Sequence, residues 1–188
     1  MNVYDFDNTL YRGESGVDLF FYYIKKRPSL LRFTPTVIVG VIRYKLHLVQ
    51  LDDVLNGYGS IVERFVAGVE DFAQDAKEFW DRHDHRLRSF YYRLQQDDDL
   101  VISASPEPSL QEVCGRLGVK RWIGTRINEE TRRLDYVCFR ENKVKAFQEQ
   151  YPGETIENFF TDSMNDKPLM ELAQKVFLIQ KGKMKRIK

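Results

Sequence analysis

Two rhythms of apolar and polar positions run through this chain. The first is the short strand-like run Asn2-Val3-Tyr4, which ends in Asp5-Phe6-Asp7-Asn8-Thr9. After a hinge-like run at 11–16 the period lengthens. Leu19, Phe20, Tyr23 and Ile24 share one face of a helix predicted over 17–26 and stopped before Pro28. Residues 29–48 predict a second helix, apolar and aromatic with scattered Arg and Lys, in which Pro35 must cause a kink or sit near the start. A loop with Gly57 and Gly59 is predicted over 51–60, and a short helix over 61–66, broken at Gly68. Helical spacing then returns over 70–96 through Phe72, Ala76, Phe79, Trp80, Leu87 and Tyr91. No strand pattern occurs between Gly13 and Asp97, so the middle of the chain reads as a helical block.

After the acidic turn Asp97-Asp98-Asp99 the rhythm changes again. Leu100-Val101-Ile102-Ser103 predicts a buried strand, followed by a helix over 106–117 closed by Gly118. Strands are predicted over 121–125 and 133–139, with a turn over 128–132 between them. A helix over 141–151 stops at Pro152-Gly153; a strand over 157–161 ends in Asp162; a helix starts near Pro168. A last strand over 176–180 leads into a basic tail, 181–188, expected to be a solvated terminus. Strands alternating with helices imply an α/β fold with an open, largely parallel sheet, whose ligand site lies at the carboxyl ends of the strands. Asp5, Ser103 and Asp162 fall at such ends. No internal repeat or low-complexity segment is present.

Composition narrows the picture only slightly. The 188 residues, 43% hydrophobic, suffice for one domain with a core and an inserted subdomain. A net charge of +1 gives no global pull toward nucleic acid or membrane. Cys114 and Cys138 make neither a CxxC pair nor a disulfide framework, which fits a reduced, cytoplasmic setting. The start of the chain reads as an acidic strand rather than a signal peptide, and the longest apolar stretch, 37–42, is too short to span a bilayer.

The chemistry sits first in Asp5 and Asp7. Strand alternation places them on one side of the backbone, where two close carboxylates repel unless a proton or cation intervenes. Oxygen-only ligands point to Mg²⁺. The alternative is a surface turn, since Asp, Asn and Thr are turn residues. Among the lysines of the 141–151 helix, Val144, Phe147 and Tyr151 define the apolar face. Lys143 lies about 75° from its centre and Lys145 about 125°, so Lys143 points nearer the sheet. A cation in a helix's first turn also opposes the macrodipole. Ser105 reads as the N-cap of the following helix, and Asp166 as a possible N-cap before Pro168. His83-Asp84-His85 reads as a solvated helix face, His47 as structural, and the basic-aromatic segment 25–48 as helix packing with snorkelling cations.

Asp5-Phe6-Asp7-Asn8-Thr9, Ser103, Lys143 and Thr161-Asp162-Ser163-Met164-Asn165-Asp166, in that order, resemble the four motifs of the haloacid dehalogenase-like superfamily. Val101-Ile102-Ser103-Ala104-Ser105-Pro106 and Cys138-Phe139-Arg140-Glu141-Asn142-Lys143-Val144 are similar to its phosphoserine-phosphatase-like branch. The resemblance covers the whole chain. It implies a three-layer Rossmann-like core, mostly parallel, from 1–12 and 97–188, with an all-helical cap inserted at 13–96. It implies Mg²⁺-dependent hydrolysis of a small phosphorylated metabolite through an aspartyl-phosphate. In that scheme Asp5 is the nucleophile and Asp7 the general acid and base. Asp5, the main-chain carbonyl of Asp7, and Asp162 hold the metal. Asp166 acts directly, through water, or by orienting Lys143. Phe6, Ser103, Ala104, Lys143 and Asn165 bind the phosphate.

The alternatives are a phosphotransferase or mutase using the same intermediate, and a non-catalytic phosphate-binding module, against which Asp7 argues. A dehalogenase is disfavoured because it does without the second aspartate. The expected partner is a small phosphate ester, with neither nucleic acid nor a membrane span; the oligomeric state is not legible. The chain departs from phosphoserine phosphatases where Ala104 and Ser105 replace a glycine pair and where Thr161-Asp162 replaces Gly-Asp. It has no cap arginine at the expected place, Arg64 being offset, and Glu14 only loosely matches a substrate-contacting glutamate.

Overall fold

The computed structural model describes residues 1–35, 39, 66, 68–128, 130, 131 and 133–188. In chain order these form β1 (Asn2–Tyr4), α1 (Ser15–Lys26), a 3-10 helix (Pro28–Phe33), α2 (Phe72–His83), a 3-10 helix (Asp84–Arg86), α3 (Tyr91–Leu94) and β2 (Leu100–Pro106). They continue with α4 (Glu107–Leu117), β3 (Arg121–Ile127), β4 (Leu134–Tyr136), α5 (Glu141–Gln150) and β5 (Asn158–Thr161). The chain ends in a 3-10 turn (Met164–Asp166), α6 (Lys167–Leu172), β6 (Lys175–Gln180) and β7 (Lys183–Arg186).

The sheet has seven strands in the order β4-β3-β2-β1-β5-β6-β7, parallel except where β4 and β7 pair antiparallel at the edges. β1 is central: Val3 lies beside Leu100 and Phe159, and Tyr4 beside Val101 and Phe160. All three β1 residues are buried, as central parallel strands with covered faces require. The period of two then sorts side chains into two cores. Tyr4, Val101 and Phe160 face a cluster with Leu19, Phe79, Trp80 and Leu110, from α1, α2 and α4. Val3, Leu100, Ile102 and Phe159 face Ala146, Phe147, Leu169 and Met170, from α5 and α6. The result is the three-layer, mostly parallel sandwich expected from the sequence. Stacked rings of Tyr4, Phe160 and Phe177 run across β1, β5 and β6 at 4.5 and 4.9 Å.

Several expectations need correction. Helix 70–96 is broken: α2 ends at His83, and Leu87 pairs with Tyr11 in an isolated antiparallel bridge. The break is set by contacts remote in sequence. Arg86 donates to Asp18 at 2.5 Å and to the carbonyl of Arg12 at 2.9 Å, and it stacks on Tyr11. Gly13 accommodates this clasp with φ +118; a Cβ there would collide with the Arg86 guanidinium. His83 stacks on Phe79 rather than lying on a wholly solvated face, while Asp84 and His85 are exposed. β2 continues past Ser103 to Pro106, with a register break after Ile102. The 133–139 strand shortens to β4. The basic tail is an edge strand, reached through Lys181 and Gly182 at positive φ, as two-residue hairpin turns require. Lysines on an exposed edge strand disfavour edge-to-edge pairing.

The described part of helix 29–48 begins as the 3-10 turn Pro28–Phe33. Most of that helix, the 51–60 loop, most of the 61–66 helix, His47, Arg64 and the 37–42 stretch, save Val39, lie outside the described residues. No helix among the described residues is long and apolar enough to cross a membrane.

Candidate active site

The carboxyl edge of β1 starts the site. Asp5 makes the last ladder bond, its N–H donating to the Phe160 carbonyl at 2.8 Å. The chain then leaves the sheet in a tight loop in which the Phe6 carbonyl accepts the N–H groups of Thr9, Leu10 and Tyr11. Asn8 takes a left-handed conformation, φ 57, and its N–H reaches the Gly13 carbonyl. Alternation sends the Phe6 ring into the core against Tyr11 and Trp80, so any phosphate contact it makes is through its main chain. Asp5 turns to the opposite side. Its Oδ2 accepts the buried Thr9 hydroxyl at 3.2 Å.

Lys143 arrives from the first turn of α5. Its ammonium lies 2.7 Å from Asp5 Oδ1 and 2.8 Å from Asp166 Oδ1, and the residue is 3% exposed. Asp166 Oδ2 accepts the Thr161 hydroxyl at 2.7 Å. Lys145, two residues on, is exposed. Burial alone would push the Lys143 ammonium down, but Asp5 and Asp166 outweigh it and hold it above its ordinary value, so it is a fixed cation. Burial pushes the Asp5 carboxyl up; Lys143 pulls it back, and Asp166 and Asp162 add repulsion. Asp166 also precedes α6, but its side chain makes no cap bond there.

Asp7 is held from two sides. Oδ1 accepts the Ser15 main-chain N–H, at the start of α1, at 2.7 Å, and Oδ2 accepts the Ser105 hydroxyl at 3.2 Å. Burial pushes Asp7 up to about 6 against these bonds, within the range useful for proton transfer near neutrality. Sequence reasoning missed Ser105: the N-cap of α4 is Pro106, so Ser105 is free to turn inward. Its signal was the missing glycine pair.

The other expected residues surround this core. Ser103 is 1% exposed and its Oγ accepts the Ser105 N–H at 3.1 Å, which leaves the hydroxyl proton to donate elsewhere. Ala104 is exposed, with its carbonyl taken by the Thr125 hydroxyl. Asn165 Oδ1 accepts from Arg140 at 3.4 Å, and Arg140 itself has φ 47. Glu14 is exposed at the mouth, where Asn8 Nδ2 donates to it at 2.9 Å. Arg88, unremarked in the sequence, bonds the Asn8 carbonyl at 3.3 Å; burial and Arg12 push its pKa down, while Asp162 raises it.

Asp162 is half-buried, and burial followed by Glu14 and Asp166 pushes it up to about 6. Among the described residues neither Asp7 nor Asp162 is in a salt bridge. No three His, Cys, Asp or Glu side chains among them already converge on an ion. The donor set still fits Mg²⁺, which takes one or two carboxylates and completes its shell with water and main-chain oxygen. The raised acids give a sign that can be checked. A folded-state carboxyl at about 6 keeps its proton above the unfolded value. Its contribution to stability is therefore present at low pH and is lost as pH rises through about 4 to 6. A cation offsets that loss. The Tm gain on adding Mg²⁺ is expected to be larger at about pH 7.5 than at about pH 5; scanning fluorimetry reporting equal gains would contradict this.

The haloacid dehalogenase-like hydrolase family profile matches residues 3–171. No curated protein sequence matches the chain significantly. A protein of unknown function from Bordetella pertussis Tohama I has a similar structure, with TM-score 0.72 and 18% identity over 94% of this chain and 87% of that one. A phosphoserine phosphohydrolase-like protein from Francisella tularensis subsp. tularensis SCHU S4 gives TM-score 0.64 and 19% identity over 97% and 88%. A phospho-aspartyl intermediate analogue of phosphoserine phosphatase gives 0.50 and 14% over 93% and 83%. These likenesses concern the fold.

Proposed function

The chain belongs to the haloacid dehalogenase-like hydrolase family, and on that premise we propose that it is a Mg²⁺-dependent phosphomonoester hydrolase acting on a small phosphorylated metabolite. The observation that carries the reading is the buried Lys143 ammonium bridging Asp5 and Asp166 at the carboxyl edge of the sheet. A fixed cation beside a strand-end carboxylate is what an in-line attack on phosphorus needs.

Asp5 attacks phosphorus and forms an aspartyl-phosphate, while Asp7 gives a proton to the leaving oxygen. Asp7 then takes a proton from the water that attacks the phospho-aspartate. Lys143 faces the equatorial oxygens, oriented by Asp166, and the Ser103 hydroxyl, Asn165 and the main chain of Phe6 and Ala104 hold the phosphate. Asp5, the Asp7 carbonyl and Asp162 would hold Mg²⁺, which when bound would supply positive charge to offset repulsion between Asp5 and the phosphate. The name of one structural neighbour, a phospho-aspartyl analogue of phosphoserine phosphatase, supports the intermediate. We propose that 13–96 limits access to small esters as a cap, although α1 and α2 within that span pack on the sheet as part of its core, and we read the two free, buried cysteines as consistent with a cytoplasmic setting.

Para-nitrophenyl phosphate is expected to be hydrolysed with Mg²⁺ and not in chelator, and Ca²⁺ to inhibit, since it is larger and takes more ligands. Full activity in chelator would sink the metal assignment. A panel of phosphorylated metabolites then identifies the substrate.

A further inference from the structure

We propose that Ser105 is a positioning residue that aims Asp7 at the leaving-group oxygen; the proposal rests on the phosphatase reading above. Asp7 Oδ1 accepts the Ser15 main-chain N–H at 2.7 Å. A main-chain N–H only donates, so Oδ1 stays an acceptor throughout. The acid proton therefore falls on Oδ2, whose partner, the Ser105 hydroxyl at 3.2 Å, can accept as well as donate. Ser105 is itself pinned: its Oγ is 2.9 Å from Ser15 Oγ, and the two residues are 5% and 2% exposed. A hydroxyl has one proton, so with Ser105 donating to Asp7 its Oγ meets Ser15 as an acceptor. Ser15 also reaches Asp7 through its side chain and its N–H, so the two serines together hold the carboxyl group.

The backbone explains why Ser105 can do this. β2 continues past Ser103, the Thr125 hydroxyl holds the Ala104 carbonyl at 2.6 Å, and the Ser105 N–H returns to Ser103 Oγ. A residue without a hydroxyl at 105 would leave Asp7 held by Ser15 alone, through its main-chain N–H and its side chain. The clamp joins the end of β2 to the first residue of α1, so the acid is aimed only when α1 sits against the sheet.

The step that depends on aim is leaving-group departure. The Asp5–phosphorus bond forms, the phosphorus–oxygen bond to the leaving group breaks, and the Asp7 Oδ2 proton passes to that oxygen. An alkoxide needs the proton; nitrophenolate departs without it. The experiment compares kcat/KM for an alkyl phosphate, glycerol phosphate, with that for para-nitrophenyl phosphate; kcat/KM excludes the later hydrolysis of the intermediate. Ser105→Ala is expected to lower the alkyl-to-aryl ratio by about tenfold to a hundredfold, part of the contribution of a positioned acid. Ser105→Thr, which keeps the hydroxyl, restores the ratio. Ser105→Cys, of similar size with a weak donor, gives the same selective loss should the alanine variant not fold. Equal losses on both esters, or an unchanged ratio in Ser105→Ala, would overturn the proposal. A wild-type protein that hydrolyses neither ester overturns the phosphatase reading, and this proposal with it.

Discussion

Asp5→Asn is expected to abolish turnover, with kcat falling by at least about a thousandfold, as removal of a covalent nucleophile does. The amide has no anionic oxygen to attack phosphorus. The fold should survive, because the Asn carbonyl oxygen still accepts from Lys143, which now bonds Asp5 Oδ1 at 2.7 Å, and the amide NH₂ can donate to the Thr9 hydroxyl oxygen, which now donates to Oδ2 at 3.2 Å. Lys143 also keeps Asp166 at 2.8 Å, so no buried charge is left alone. Circular dichroism and thermal denaturation read the fold, and steady-state kinetics the loss. Residual turnover within about tenfold of wild type would rule out a covalent role for Asp5.

Lys143→Ala should lose about 2.7–4 kcal/mol of transition-state stabilisation, the size seen when one preorganised donor is removed. It should also lose about 3–5 kcal/mol of stability, because Asp5 and Asp166 are left buried together without their shared cation. Lys145→Ala, at an exposed position of the same helix, should change stability by no more than about 0.5 kcal/mol and leave turnover intact. Lys143→Arg should rescue poorly, since a planar fork does not fit where a compact ammonium lies between two carboxylates. Kinetics and denaturation on the three variants decide the matter. A crippled Lys145→Ala beside an active Lys143→Ala would reverse the assignment.

The parts of the fold legible in the sequence were those governed by one buried face and a sharp stop. α1 and α5 fall within two residues of their expected bounds because Leu19 and Tyr23, and Val144, Phe147 and Tyr151, repeat at helical spacing before Pro28 and Pro152. Lys143 turned to the sheet because Phe147 fixes the phase of α5. What the sequence hid depends on distant partners. The end of α2 is set by Arg86 meeting Asp18 and Arg12. The length of β2 is set by Thr125 on β3, and β7 has no apolar alternation because its residues are exposed at an edge. In the site, Asp5 and Asp7 stood out by strand alternation, and Asp166 only through the resemblance of 161–166 to a family motif. Ser105 did not, because local helix rules made it a cap; Arg88 did not, because contacts distant in sequence, the Tyr11–Leu87 bridge and its own N–H to the Leu10 carbonyl, bring it beside Asn8.

The central claim is that the phosphoryl group passes through Asp5. Its most direct test is acid quench of the wild-type protein during turnover of para-nitrophenyl phosphate with Mg²⁺, followed by peptide mass spectrometry. The account predicts a phosphoryl group on the peptide bearing Asp5, absent in Asp5→Asn. Rapid hydrolysis with no phosphoryl group on that peptide at any quench time would contradict it.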